Sequence, residues 1–542
     1  MTHPHFRFTS GLLWTLVLCA ATIVLGDYLF FQQNQAGAAI GLYNAVLLVA
    51  LLVRRPAVRR NGKALAAVAA AFLFTGAMIL DTSFLSWMMF WIAASMATLL
   101  PSVKRFDDGW QWFQRLFLHG FRTLIAPLLD ALRVQKVRQR APNRRIRASR
   151  IFALLALPLG GSVLIIILFA AANPVIDQLL SRIFAPDLRN LSIGRMILWS
   201  LLFIMAWGLL RPKMRKPLLP TLDGRGDLAI PGVSVASVTL SLIAFNLLFA
   251  LQNLMDLAYM GGFVPLPEGM TLAGYAHRGA YPLIMTALLA ALFVLVTLRP
   301  GSTTANRPAI RTLVLLWIGQ NIVLVASSMI RLIDYVETYS LTPLRIVALA
   351  WMVLVAIGLL LICWRMIFNL RASWLINASL GFTALFLTAA CFTDLSATSA
   401  WWNVRHAREV GGRGVNLDLC HLTELGDSAL LPLIALERRT DLKPDFRERV
   451  QSVRQAAMDR LVEQLTHGEW TVRRQHRYKL AMQGLAGLKP IPMKPGRRDC
   501  AGALLPPDPA TQPTEVAPTV LPVQADTRTV KDAPALTVEK QP

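Results

Sequence analysis

Charge is scarce in this sequence: 16% of its 542 residues are Asp, Glu, Lys or Arg, against 55% hydrophobic residues and a mean hydropathy of +0.49. Soluble domains carry roughly 25% charged residues, so this balance excludes a soluble globular chain and predicts a multi-pass membrane protein. Cysteine is sparse as well. Cys19, Cys363, Cys391, Cys420 and Cys500 are scattered, with no C-x-x-C and no Cys/His ligand spacing, which leaves a metal centre or redox motif without support. The catalytic signatures are missing too: there is no P-loop, no G-x-S-x-G and no H-E-x-x-H, and the glycine-rich "VGGRGVNLD" neither follows a strand nor opens a clear nucleotide-binding unit. No cofactor is expected. The first apolar run, Gly11 to Leu25, lacks an A-x-A-like cleavage site, and Leu18 before Cys19 breaks a lipoprotein-type site, so it is read as a retained helix.

Long apolar runs are what the chain has in quantity. A helix needs about 20 such residues to cross the hydrocarbon layer, and eleven segments qualify: about 10–31, 37–53, 64–80, 83–100, 151–172, 193–210, 233–259, 281–298, 311–333, 343–364 and 373–391. The fold class is therefore all-α, a polytopic transmembrane helix bundle. Only "LDTS" around Asp81 separates the third span from the fourth, which predicts a tight hairpin. With the N-terminus inside, the inner segments up to the last span carry 28 Lys and Arg and the outer segments 6. That asymmetry predicts N-terminus in and C-terminus out. It also accounts for the net charge of +24 without invoking nucleic acid.

The chain divides further by composition. Residues 1–100 form a four-span region and 101–150 a basic cytoplasmic segment, in which Trp110, Trp112, Phe113, Phe117, Phe121 and Leu124 alternate with cations. This is the pattern of a helix lying in the membrane interface, with its basic end against anionic lipid headgroups; the alternative is a docking site for a cytoplasmic protein partner. Residues 151–391 form a seven-span core. Beyond 391 the charges are dense and balanced, and Val450, Val453, Met458, Leu461 and Leu465 recur at helical spacing, so 392–503 reads as a small helical periplasmic domain with a candidate periplasmic partner. From Leu504 onward the Pro/Ala/Thr/Val-rich tail to 542 reads as disordered. In an oxidising compartment Cys420 and Cys500 are candidates for a disulfide, with Cys391 a competing partner.

Candidate binding residues gather at the outer side. "LAGYAHRGAYP" brackets His277 and Arg278 with Tyr275 and Tyr281, either as interfacial anchors or as part of a polar cluster. In the seventh span Asn246 and Asn253 share a face with Asp256 on an adjacent stripe, and in the ninth Gln320, Ser327, Arg331 and Asp334 follow one side. Two readings remain open: a hydrogen-bonded seam with an ion-paired rim, or an outward pocket where Arg331, Arg278 or His277 meets an anion. A carboxylate from Asp256 or Glu268 beside His277 would tune its titration. No inverted repeat of broken helices marks a secondary transporter.

At "LPEGMTLAGYAHRGAYPL" and "MIRLIDYVETYSLTPLR" the chain resembles a family of bacterial multi-pass membrane proteins described as domains of unknown function, of the 4153 and 4173 type. The family's hairpin motif corresponds to Leu272, Ala273, Tyr275, Arg278, Gly279 and Tyr281; its second motif corresponds to Arg331, Tyr335, Tyr339, Leu341, Thr342 and Arg345. This sequence departs from the pattern at Leu272, where Tyr is usual, and at Ser340, where Gly is usual. The resemblance spans roughly 150–390, with 417–436 similar to the family's C-terminal helical region, and implies a fold and a compartment, the bacterial inner membrane with the C-terminal domain in the periplasm, but no activity. The leading expectation is a non-enzymatic scaffold or envelope sensor. A transporter of an anionic solute or protons using Arg331, Asp256 and His277 comes second, and a membrane enzyme acting on lipid or cell-wall precursors third.

Overall fold

The computed structural model describes residues 4–103, 108–139, 192–213, 219, 234–261, 302–304 and 306–506, with isolated positions between 285 and 293. Every regular element among them is a helix. In chain order these are α1 (Pro4–Gly26), which continues into a π-helical turn over Asp27–Gln32, α2 (Ala39–Arg54), α3 (Pro56–Arg59), α4 (Gly62–Leu80), α5 (Phe84–Leu99) and α6 (Gly109–Gln139). There follow α7 (Ile193–Leu210), α8 (Val235–Met260), α9 (Pro308–Tyr339), α10 (Pro343–Ile367) and α11 (Ala372–Phe392). The C-terminal domain adds α12 (Leu395–His406), α13 (Leu419–Glu424), α14 (Leu430–Glu437), α15 (Pro444–Thr466) and α16 (Val472–Leu485). Short polar residues set the starts: Asn61, Ser83, Ser192, Thr342, Asp394, Asp418 and Thr471 each accept a hydrogen bond from the backbone N–H three residues on.

Eight of the described helices are long and apolar enough to cross a membrane, and α2 is a shorter apolar helix of 16 residues. Nine of the expected spans therefore coincide with helices. The remaining two, 151–172 and 281–298, fall outside the described residues, except for a few positions of the second, as do the basic end of the cytoplasmic segment and the tail beyond 506. The hairpin between α4 and α5 is as tight as expected, closing over Asp81–Ser83. Two elements differ from expectation. Helix α9 runs for 32 residues, about 48 Å at 1.5 Å per residue, so it overshoots a roughly 30 Å hydrocarbon layer. Leu504 does not begin the tail: it forms a bridge with Arg498, and the Leu505 N–H bonds the Arg497 carbonyl at 2.8 Å, so the domain extends through these residues.

Three apolar cores follow from this order. One gathers α1, α2, α4, α5, α6 and α7 around Leu47, Leu48, Met78 and Phe90; a second gathers α8, α9 and α10 around Leu242, Ile310 and Ile318. Helix α11 joins them, with Cys391 in the first and Leu375 in the second. The third core, built on Leu419, Leu430, Leu433, Val450 and Leu461, belongs to the C-terminal domain, where Cys420 and Cys500 are joined in a disulfide.

Helix α6 shows how one sequence face is divided. Its buried side, which carries Trp112, His119, Ala126 and Asp130, packs on α7, α11 and α5, while Phe113, Phe117, Phe121, Leu124, Leu128 and Leu132 form a continuous exposed stripe. Burial and then Arg122 push the His119 imidazole down to about 4. Because that lies below the ordinary value near 6.5, the buried neutral ring contributes its full stability above pH 6.5 and loses it as pH falls from 6.5 toward 4. Unfolding of the wild type in detergent should therefore weaken by about 3 kcal/mol across that interval. A His119→Gln chain should lack that component. Equal slopes for the two chains would show that His119 is not the titrating group.

Candidate functional site: a polar seam and a clamped turn

The polar stripes foreseen on the seventh and ninth spans meet between α8 and α9. At the deep end, Asn246 Nδ2 donates to the carbonyls of Leu242 (2.7 Å) and Leu313 (3.0 Å), and Gln320 Nε2 donates to Asn246 Oδ1 at 3.1 Å. One layer further, Asn253 Nδ2 donates to the Gln320 carbonyl at 3.1 Å. At the end of the ladder Asp256, 3% exposed, accepts from Gln252 Nε2 (3.0 Å), Ser327 Oγ (3.0 Å) and Arg331 Nη2 (3.2 Å), and Arg331 also donates to Ser328 Oγ at 2.8 Å. The buried side-chain oxygens of Asn253 and Gln320 receive no hydrogen bond from the described residues. Chemically the arrangement is a seam in which, among the described residues, the Asp256 carboxylate is paired with the Arg331 guanidinium.

Asp334 does not join it. It is exposed on α9, one turn beyond Arg331, and its backbone carbonyl accepts from Thr338 Oγ1 at 3.0 Å. Helical spacing placed it on the same stripe, but its residue is exposed one turn beyond the buried pair. His277, Arg278, Tyr275 and Tyr281 lie outside the described residues, as do Leu272, Ala273 and Gly279.

Tyr335, Tyr339, Thr342 and Arg345 form a second assembly, the turn from α9 to α10. The two tyrosine rings sit 4.9 Å apart, the Arg345 guanidinium lies 4.1 Å over Tyr335, and its Nη1 donates to the carbonyls of Tyr339 (2.7 Å) and Ser340. Thr342 caps α10 through the Arg345 N–H. The backbone reverses at Ser340, with φ at +68° and ψ at 163°. That conformation suits glycine and strains any residue with a Cβ, which gives a physical reason for the glycine of the family pattern. Ser340→Gly should therefore stabilise the protein by about 1 kcal/mol in detergent unfolding; destabilisation would mean that the hydroxyl outweighs the strain.

The turn is held from the C-terminal domain. Asn403 on α12 accepts from the Leu341 N–H (2.7 Å) and donates to the Leu341 carbonyl (2.8 Å), and Ser399 Oγ donates to the same carbonyl at 2.6 Å. All three residues are buried. The domain grips the α1–α2 loop as well: the Ala36 and Gly37 N–H groups bond the Gly468 carbonyl, and the Ala38 N–H bonds the Trp470 carbonyl at 2.7 Å. Arg473 reaches Asp81 in the α4–α5 turn (2.5 Å) and the Phe392 carbonyl at the end of α11 (2.8 Å). The domain is thus seated on one end of the helix bundle.

One buried pair was not foreseen from sequence. Asp27, 6% exposed in the π-helical turn, accepts from Arg195 Nε (2.7 Å) and Nη2 (2.5 Å), Trp199 Nε1 (2.8 Å) and Gln32 Nε2 (3.1 Å). The available signal was a single acid late in the first apolar run and a single arginine early in the sixth, each the only charge within its span. An π-turn re-aims Asp27 toward α7, and such turns are not readable from local spacing.

Helices of this length and hydropathy, packed around internal polar pairs and capped at one end by a polar domain, define an integral membrane protein of all-α, polytopic architecture. The chain matches the model of the family described as domain of unknown function (DUF4153) over residues 64–436, and it belongs to that family. The match reaches further toward the N-terminus than the resemblance read from the two motifs, taking in α4 to α6. No curated protein and no solved structure matches the chain significantly.

Proposed function

We propose that this protein is a non-enzymatic scaffold or sensor of a bacterial inner membrane, with its N-terminus in the cytoplasm and the C-terminal helical domain in the periplasm. The excess of Lys and Arg on the opposite end of the bundle supports that orientation. The observation that carries the role is the clamp on Leu341: a polar domain reads the position of a membrane turn through Ser399 and Asn403, so a change in the domain is transmitted to α9 and its seam. The domain supplies the candidate surface for a periplasmic partner, and the α6 stripe faces the lipid interface, with 101–150 the candidate contact for a cytoplasmic partner.

Asn403→Ala in detergent-purified protein is the direct test. Hydrogen exchange should speed up at the α9–α10 turn and through the Ser327–Arg331 stretch, while the domain core keeps its protection. Acceleration confined to the turn would overturn the relay.

The second reading is a transporter of protons or an anionic solute, favoured by the two buried amide oxygens of Asn253 and Gln320 next to Asp256. Flux in proteoliposomes separates the two. The scaffold reading expects no flux above empty vesicles; flux abolished by both Asp256→Asn and Arg331→Ala, in folded protein, would put the transporter first.

A further inference from the structure

Two helices of the bundle end in the same way. Helix α2 closes at Arg54-Arg55-Pro56 and helix α7 at Arg211-Pro212-Lys213. A residue before proline is pushed out of the helical region, and Arg55 (φ −126°, ψ 84°) and Arg211 (φ −126°, ψ 55°) have both left it. Two proline-fixed corners therefore face each other at the end of the bundle opposite the C-terminal domain. Between them lies an open cleft of about 380 Å3, lined by Arg54, Arg55, Arg211, Lys213 and the two prolines. Its size is within the roughly 300–1,000 Å3 of small-molecule sites.

The cations are held in place. Arg54 Nε donates to Thr15 at 2.9 Å, Arg55 Nη1 to the Thr98 carbonyl at 3.4 Å, and Arg211 lies 5.4 Å over Trp207. Asp130 of α6 pairs with Lys213 and is 3.9 Å from Arg211, but it stands outside the cleft lining and serves Arg133 too. Among the described residues four cations line this cleft and no acid does, with Lys213 the one that pairs directly with Asp130, a cluster that favours an anion with several oxygens.

We propose that this cleft is a binding site for a phosphate group, carried by an anionic phospholipid or free in solution. Fixed guanidinium pairs match tetrahedral oxygens through paired N–H donors, and the lysine adds a point charge. A lipid source is favoured by the surface beside it: Val46, Val49 and Val53 share one exposed face of α2 that leads to Arg54, giving acyl chains an apolar track from the same cleft. The site is independent of the scaffold reading and of the seam.

The test uses the full chain in nanodiscs of phosphatidylcholine with added phosphatidylglycerol, and in detergent with inorganic phosphate, read by native mass spectrometry. The cleft variant is Arg55→Gln with Lys213→Gln, which leaves the Arg54–Thr15 and Arg211–Asp130 contacts in place. The control is Arg59→Gln with Arg60→Gln, which removes the same charge from exposed neighbours outside the cleft. Retention of phosphatidylglycerol by the wild type and the control, with at least a tenfold loss in the cleft variant, is the expected result. Retention of inorganic phosphate alone, lost in the same variant, supports the site with the free anion as its ligand. Equal losses in both variants would reduce the effect to diffuse attraction by a basic face, and no retention of either probe by folded wild type would overturn the site. Size-exclusion profile and helical circular dichroism confirm folding of each variant.

Discussion

Asp256→Ala and Arg331→Ala should each destabilise the protein by about 3 kcal/mol, because either change takes a hydrogen-bonded counter-ion away from a buried charge. The side chains are 4% and 10% exposed, and the carboxylate accepts from three side chains of two helices, so little water can replace a lost partner. The double variant should cost clearly less than the two singles together, by about 2 kcal/mol or more, as the cycle of a coupled pair requires. Asn246→Leu, by contrast, should cost about 1 kcal/mol, the usual scale of an interhelical amide bond in a membrane. Reversible unfolding in mixed detergent micelles followed by circular dichroism supplies the four numbers. Additive single effects below about 1 kcal/mol would mean that the pair is a hydrated rim and does not fasten α8 to α9.

Gly468→Ala should unseat the C-terminal domain from the α1–α2 loop without unfolding it. Gly468 has φ at +86°, and a Cβ there would stand 2.3 Å from the Asn34 carbonyl oxygen, which is backbone and cannot step aside. The same contact delivers the bonds from Ala36, Gly37 and Ala38, so parting the two backbones forfeits three hydrogen bonds worth about 1 kcal/mol each on top of about 1 kcal/mol of backbone strain. Gly487→Ala is the matched control, since its φ is +78° but nothing lies within 4 Å of the added carbon. Amide exchange at 36–38 should accelerate strongly in the first variant and stay unchanged in the second, while both retain the Cys420–Cys500 disulfide and the protection of α15. Matching exchange in the two variants would show that close approach does not govern the docking.

The polar seam was legible to an unusual degree, and the reason is periodic. Asn246, Asn253 and Asp256 on one helix, and Gln320, Ser327 and Arg331 on another, stand out against apolar neighbours because the membrane tolerates few polar groups that lack a partner. Asp334 lies on the same stripe and is exposed, because spacing carries a stripe along a whole helix whether or not a neighbour covers it there. Tyr335, Tyr339, Thr342 and Arg345 were legible as a motif but not as a turn, since their roles depend on the backbone of Ser340 and on a clamp from residues about 60 positions later. The pairing of Asp27 with Arg195 was invisible, because a partner 168 residues away leaves no local pattern.

By itself the sequence determined the class and its elements: long apolar runs have no stable home but a bilayer, and in a bilayer the backbone must satisfy itself as helix. It also determined the division into apolar core and polar C-terminal domain, and which side of each helix is polar. Only the tertiary structure decided which polar faces meet, which cations share a cleft, where α6 is covered and where it is bare, and which turns the domain grips. Those depend on distances between segments far apart in the chain, which are set by how all the helices pack at once and not by any local run of residues.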